Sequence, residues 1–302
     1  MASVEIAEMI KKVRQIEIKT KYLVENLFQS AYASVFKGRG IEFSEVREYE
    51  YGDDVRTIDW KVSARMGKLY VKQFVEERDL TIYLLLDISG SHEWGTAGAL
   101  KREVMVELCA SIAYTAFKNN DRIGLLLFAD GVEGFIPPRK GRAQVYKIIR
   151  ESIFAEPKDK RTNLLPAIEY LLKVLRDRAV IFIVSDFQGE SFLESSNLLT
   201  KLSKKNDVIA VKINDPMDFK IPAVGLVQLV DPETGEKMLV DTSDRKLRER
   251  YEKLSIEADV RVKKMLKIGN IDLIEISTAE DYVKPLLRFF MARERRKRRI
   301  AA

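Results

Sequence analysis

Five short runs of Ile, Val and Leu, spread along the chain and separated by stretches with helical periodicity, constrain this sequence more than any other feature. They occupy residues 81–86, 123–128, 180–184, 208–213 and 271–276. Each has the length of a strand, and none alternates apolar with polar as a strand with one wet face does. Such runs belong in a sheet covered on both faces. Between them, Leu100, Val104, Leu108 and Ile112 keep helical spacing over about 99–117, and Leu164, Ile168, Leu171 and Leu175 do so over 164–175. Strands alternating with helices mean βαβ units, hence an α/β fold with a doubly wound, mostly parallel, Rossmann-type sheet. A further run at 132–136, closed by Pro137-Pro138, is expected as an edge strand.

The flanks break this rhythm. Residues 5–29 read as a helix, and 41–51 and 69–75 as strands, with a turn at Gly52-Asp53-Asp54. Later, 226–230 and 237–240 flank Asp231-Pro232-Glu233-Thr234-Gly235, which reads as a hairpin with a longer loop, and a long charged helix follows over about 244–266. The expected organisation is an N-terminal helical and strand extension (1–65), an α/β domain (66–292) with the hairpin and long helix inserted at about 215–268, and a basic tail (293–302).

Of the 302 residues 46% are hydrophobic and 32% charged, the balance of a soluble chain with a sizeable core. The net charge of +6 is not spread over the fold. Arg293, Arg295, Arg296, Lys297, Arg298 and Arg299 stand against Glu294, so five of the six net charges lie in seven residues. A nearly neutral body argues against a basic nucleic-acid-binding domain. The tail by itself either reaches an anionic surface such as RNA, DNA or lipid, or is a solvated helix end. Cys109, the single cysteine, excludes an intramolecular disulfide and every cysteine-based zinc site; within an apolar helical stretch it reads as a small buried hydrophobe. The first residues are amphipathic and charged, without the apolar run of a signal peptide, and no run approaches the roughly 18 apolar residues that span a bilayer. A cytoplasmic location is the expectation.

The chemistry is concentrated in Leu84-Leu85-Leu86-Asp87-Ile88-Ser89-Gly90-Ser91. An apolar strand ends in Asp-x-Ser-x-Ser, and ligands of doubly wound sheets bind at the carboxyl ends of strands. One carboxylate and two hydroxyls form a hard oxygen set suited to Mg2+ or Mn2+. Asp186 ends another apolar strand, and Thr162 directly precedes a helix. Alone, Thr162 reads equally as that helix's N-cap and Asp186 as a loop acid. Together with Asp87, Ser89 and Ser91 they form a five-residue constellation.

In its order and placement this constellation resembles the metal-ion-dependent adhesion site of von Willebrand factor A domains. The resemblance implies that Asp87, Ser89, Ser91, Thr162 and Asp186 hold a divalent cation, directly or through water, and that an Asp or Glu of a partner protein completes its coordination. Glycines often precede the threonine in that family; Lys160 and Arg161 stand here and would draw acids to the rim, with His92 beside them as a loop residue. A narrower resemblance covers nearly the whole chain. Gly38-Arg39-Gly40-Ile41-Glu42-Phe43, Glu45-Val46-Arg47-Glu48-Tyr49, Gly52 through Trp60, Val71-Lys72-Gln73-Phe74, Asp231-x-Glu233-Thr234-Gly235 and Pro285-Leu286-x-x-Phe289-Phe290 look like domain-of-unknown-function family 58. That likeness implies a partner among MoxR-type AAA+ ATPases and a role in assembling or activating other proteins.

In the Gly52–Trp60 segment two readings stand. Asp53 and Asp54 form a turn or cap, Arg56 pairs with an acid and Trp60 anchors the extension; or Asp53, Asp54, Arg56 and Trp60 form a docking surface. Enzymatic readings fare worse. An aspartyl-nucleophile phosphatase wants a second carboxylate two residues after Asp87, where Ser89 stands. His92, the only histidine, directly follows Ser91 without a Gly-x-Ser-x-Gly elbow, which argues against a Ser–His–Asp triad. Gly38-Arg39-Gly40 lacks the strand and helix that a nucleotide loop requires. The expectation is a metal-dependent, non-enzymatic binding protein with no nucleotide or organic cofactor; binding of nucleic acid through the tail is the second class.

Overall fold

The computed structural model describes residues 2–28, 32, 35–36, 46–55, 58–72, 79–96, 98–189 and 191–301. The chain divides into two compact units, Phe36–Asp79 on one side and Met1–Val35 with Leu80–Ala302 on the other, a different line from the division expected at residue 65. Helix α1 (Ala2–Leu23), continued by the π-helical stretch Val24–Phe28, belongs to the larger unit.

In the smaller unit, β1 (Val46–Glu48) pairs antiparallel with β2 (Tyr70–Lys72), and α2 (Trp60–Met66) lies between them in sequence. The rest of the strands expected at 41–51 and 69–75 falls largely on residues 41–45 and 73–78, outside the described residues, as does Arg56. Asp59 caps α2 by accepting from the amides of Lys61 and Val62, and Gly67, at φ +71°, ends it. Asp53 accepts from the amide of Glu50 and from the Arg47 guanidinium, at 2.9 and 2.5 Å, beside Gly52 at φ +112°. For Asp53 the turn reading therefore holds. Asp54 is exposed. Trp60 is 65% exposed, so it does not anchor the extension; as the first residue of a short helix, its side chain is left on the surface.

The larger unit is built on a six-stranded sheet of β3 (Thr81–Asp87), β4 (Arg122–Phe128), β5 (Val132–Arg139), β6 (Val180–Ser185), β7 (Asp207–Asn214) and β10 (Asp272–Ser277), in the order β10-β7-β6-β3-β4-β5. All neighbours run parallel except β5, antiparallel at the edge. The fold is thus α/β with a mostly parallel sheet, as the apolar runs require: Leu84, Leu85, Phe182, Ile183, Ile209 and Ala210 are fully buried. Strand β5 continues through both prolines, which an edge tolerates because one side of its backbone needs no ladder bond.

Helices α3 (Lys101–Lys118), α4 (Arg142–Phe154), α5 (Leu165–Val174) and α6 (Ser196–Lys205) connect these strands. A hairpin of β8 (Leu226–Val230) and β9 (Lys237–Asp241) precedes α7 (Arg245–Ile268). The region 215–268 is not an insertion as a whole. Helix α7 is the crossover between the parallel neighbours β7 and β10 and buries Val262 and Leu266. Only the hairpin is additional. The basic segment 293–302 is likewise no separate tail but the end of α8 (Val283–Ala301), whose Leu286 and Phe290 are buried. Arg293 pairs with Asp207 and Asp272, and Arg296 with Asp272. No helix among the described residues is long and apolar enough to cross a membrane.

Candidate metal centre

The sheet order places the site. Strand β3 is followed in sequence by β4 on one side, while β6 lies on its other side, so the connections diverge between β3 and β6 and open a crevice at their carboxyl ends. Leu86 pairs with Val184, which sets Asp87 beside Ser185 and brings Asp186 onto the same rim. The Ser185 hydroxyl donates to Asp87 Oδ2 at 2.6 Å, and the Ser89 amide donates to Oδ1 at 3.0 Å. After β3 the chain turns tightly through Gly90–His92, which brings the Ser89 and Ser91 hydroxyls within 3.1 Å of each other.

The same turn delivers His92 to the centre of the site. Its Nε2 lies 3.2 Å from Asp87 Oδ2 and its Nδ1 3.8 Å from Asp186 Oδ2, and the ring is 1% exposed. It was expected at the rim; the tight turn instead folds it inward between two carboxylates. Burial opposes charging the ring, but Asp87 and Asp186 outweigh it and hold its pKa above the ordinary value. Neither ring nitrogen has an aligned hydrogen-bond partner.

Lys101 was not foreseen. The first residue of α3, it is fully buried, with its ammonium 3.1 Å from Asp186 Oδ2, 2.9 Å from Asp218 Oδ1 and 4.7 Å from the Trp94 ring centroid. A cation at a helix N-terminus opposes the helix dipole, so the two acids must offset both that and desolvation. Burial also works against ionisation of Asp186, yet His92, Lys101 and the Gln188 amide hold its pKa below the usual value.

Thr162 is not an N-cap: the amide of Leu165 bonds to Asn163 Oδ1 instead. Its hydroxyl donates to Glu233 Oε1 at 2.7 Å. Glu233 comes from the tip of the β8–β9 hairpin. Burial raises its pKa, a bond from Thr162 opposes this, and the negative charges of Asp87 and Asp186 raise it further. Lys160 and Arg161 do lie on an exposed rim, the first 3.2 Å from Glu93 and the second 2.7 Å from Asp159. The Lys160 carbonyl accepts from the Gly90 amide at 2.8 Å, which joins this loop to the Asp-x-Ser-x-Ser turn.

The donor set fits a divalent cation. Asp87, His92 and Asp186 each offer a ligand atom, all within 4.8 Å of one another, and all three side chains are buried. The His92 ring nitrogens, buried and facing carboxylates without an aligned hydrogen bond, are the independent sign, because buried polar atoms with unmet hydrogen-bonding geometry are costly. The hydroxyls of Ser89 and Ser91 lie on the turn that delivers His92, and that of Thr162 is bonded to Glu233. Imidazole adds nitrogen to a hard oxygen set, which widens the range of ions beyond Mg2+ and Mn2+ toward Zn2+.

Residues 45–261 match the profile of a family described as protein of unknown function DUF58. An uncharacterized protein of Mycobacterium tuberculosis is 28% identical over 287 residues, covering 94% of this chain and 89% of its own. The uncharacterized protein YeaD of Bacillus subtilis is 34% identical over 82 residues, covering 27% of this chain and 19% of its own. Among solved structures, conserved hypothetical protein BatB of Bacteroides thetaiotaomicron matches with a TM-score of 0.45 at 13% identity, over 72% of this chain and 99% of that one. Proximal thread matrix protein 1 of the mussel byssus, solved with a zinc-occupied MIDAS motif, matches with a TM-score of 0.36 at 15% identity, over 45% of this chain and 38% of that one.

Proposed function

The chain belongs to the DUF58 family, and from that premise we propose that it is a non-enzymatic, divalent-metal-dependent protein-binding module. Asp87, Ser89, Ser91, Thr162 and Asp186, with His92 among them, surround the ion, and an Asp or Glu of a partner protein is drawn to it. Mg2+ and Mn2+ are the ions proposed, since oxygen atoms dominate the donor set. The ion supplies a focused positive charge that selects an external carboxylate. The chain's own groups hold that centre in place: Ser185 and the Ser89 amide orient Asp87, while Lys101 and the Gln188 amide orient Asp186. The observation that carries the reading is the cluster of Asp87, His92 and Asp186, buried with their ligand atoms within 4.8 Å of one another and with neither His92 nitrogen in an aligned hydrogen bond.

A nucleophilic role for Asp87 is disfavoured because the second carboxylate such chemistry needs two residues later is absent, Ser89 standing there. The partner proposed from the family resemblance is a MoxR-type AAA+ ATPase, with Lys160 and Arg161 on the rim receiving its acidic surface.

Calorimetric titration of Mg2+ and Mn2+ into chelator-stripped protein, wild type beside Asp87→Ala, tests the metal. Saturable heat in the wild type alone is expected; heat of equal size in both would sink the assignment. Association with a purified MoxR-type ATPase should occur with metal present and vanish with chelator. No association in any nucleotide state removes that partner.

A further inference from the structure

One side chain at the centre comes neither from the strands nor from the loops that end them. Asp231 Oδ1 accepts from the amides of Glu233 and Thr234 at 2.8 and 3.1 Å, and the Gly235 amide donates to the Asp231 carbonyl at 2.8 Å. These bonds fix the tip of the β8–β9 hairpin. From it Glu233 reaches Thr162, 71 residues earlier, at 2.7 Å.

The tip also closes on the Asp-x-Ser-x-Ser turn. A Cβ built on Gly90 would lie 2.3 Å from the Pro232 carbonyl oxygen and 3.1 Å from the Lys160 Cβ. Only glycine permits that approach. The hairpin thus adds a further carboxylate to Asp87, Asp186 and Asp218, where the cations in place are His92, between the first two, and Lys101, between the last two; like-charge repulsion opposes the surplus acid unless another cation joins them. The His92 nitrogens in that crevice are buried, face Asp87 and Asp186 at 3.2 and 3.8 Å, and make no aligned hydrogen bond to either, which is the separate sign that a ligand belongs there.

The base of the hairpin is held by buried Val240 and by Thr242, whose hydroxyl and amide donate to the Gly225 carbonyl, but the rest is lightly packed. Leu226, Met238 and Leu239 are each about two-thirds exposed, and Leu229 and Val230 are exposed as well. A two-stranded hairpin is marginal without packing, so its tip is displaceable.

We infer that Glu233 is the internal carboxylate ligand of this centre, occupying in the resting chain the place that a partner's Asp or Glu takes after displacing the hairpin tip. This rests on the metal-dependent reading above. It makes the hairpin a competitor: a partner binds by exchanging one carboxylate for another.

The test uses Mn2+ as probe on the full chain, with two readouts: affinity by calorimetry, and hydrogen exchange of the backbone amides of residues 231–236 with and without Mn2+. In the wild type, Mn2+ should slow exchange at the hairpin tip. Glu233→Gln should bind Mn2+ about tenfold or more weakly, the scale of losing one group that supports a metal site, and its tip should exchange at the same rate with and without metal. Glu233→Asp should recover part of both effects. Equal Mn2+ affinity in wild type and Glu233→Gln, with a tip indifferent to metal in both, overturns this inference and leaves the metal site standing. Absence of Mn2+ binding in the wild type and in every variant overturns the metal-dependent reading, and this inference with it.

Discussion

Replacing Lys101 by Met isolates the charge balance of the centre. Methionine keeps most of the aliphatic stem against Trp94 and removes the ammonium, so charge is the variable. Asp186 and Asp218 then lose a cation at 3.1 and 2.9 Å in a place where Lys101 is 0% exposed and water cannot substitute. Removing one partner of a buried pair costs about 3–5 kcal/mol, because a charge is left uncompensated. Two acids are stranded here, but Asp186 keeps His92 and the Gln188 amide, and Asp218 keeps the Asp215 amide at 2.6 Å. The expected loss therefore stays within that range and does not double. At about 2–4 °C per kcal/mol for a chain of roughly this size, the melting midpoint should fall by about 6–20 °C.

The assay is thermal and urea unfolding at neutral pH in chelator. Combining Lys101→Met with Asp218→Asn should restore part of the stability, since one stranded charge is gone. Saturating Mn2+ should stabilise Lys101→Met more than the wild type, because the ion supplies the missing positive charge beside Asp186. A loss under about 1 kcal/mol, unaltered by Asp218→Asn, would refute the reasoning. It would mean that the two acids discharge at little cost and that no buried charge balance exists to be upset.

Two further outcomes follow from other buried groups. Burial works against ionisation of Asp215, but the hydroxyls of Thr278 and Thr96 and the amides of Thr96 and Met217 outweigh it and hold its pKa below the ordinary value. A depressed folded pKa contributes stability that is present above the unfolded value of about 3.9 and is lost as pH falls through the folded one; Asp215→Asn should lower stability at neutral pH and flatten its decline below about pH 4 in urea titrations, and curves that stay parallel would contradict this. Burial pushes the Cys109 thiol up to about 12, so a thiol-directed disulfide reagent at pH 8 should label native protein only at the rate of unfolding, and prompt labelling without denaturant would disprove its enclosure.

The sheet was legible because its inner strands are runs rich in Ile, Val and Leu that have no use for a wet face, while β10 at the edge keeps Asp272 partly buried and Glu275 exposed to solvent. Asp87 stood out because a carboxylate at a strand end followed by two spaced hydroxyls, Ser89 and Ser91, is an uncommon pattern, and Asp186, at the end of another apolar strand, joins it in the buried cluster. What stayed hidden depends on distant partners. Lys101 opens an amphipathic helix and reads as an ordinary solvated lysine; only the fold brings it to Asp186 and Asp218, 85 and 117 residues away. Helix α7 reads as a solvated insertion because its apolar positions are few, and Val262 and Leu266 near its end are what bury it. His92 is one of three residues in a turn too short to carry periodicity, so its inward direction follows from backbone geometry. Glu233 had a trace in the sequence, the Asp231-x-Glu233-Thr234-Gly235 loop, but nothing local says that the loop closes on Gly90.

The hidden residues share a function that the visible ones do not. Asp87, Ser89, Ser91, Thr162 and Asp186 can be specified by ends of strands and short loops, and they suffice to attract a cation. Lys101 and Glu233 set what that attraction is balanced against. Lys101 holds one oxygen of Asp186 from the side of α3, so the site keeps its shape when the ion departs instead of being driven apart by repulsion between carboxylates. Glu233 is held more lightly: its carboxylate takes the neutral hydroxyl of Thr162, the cation that feels its charge is the exposed Arg161, and two buried aspartates oppose it. Loss of the ion therefore bears first on the hairpin, whose burial is slight, and last on the sheet, whose strands are enclosed. The element with the weakest hold is also the one that carries the competing acid, which is the arrangement required if a partner's carboxylate is to gain the centre without disturbing the fold around it.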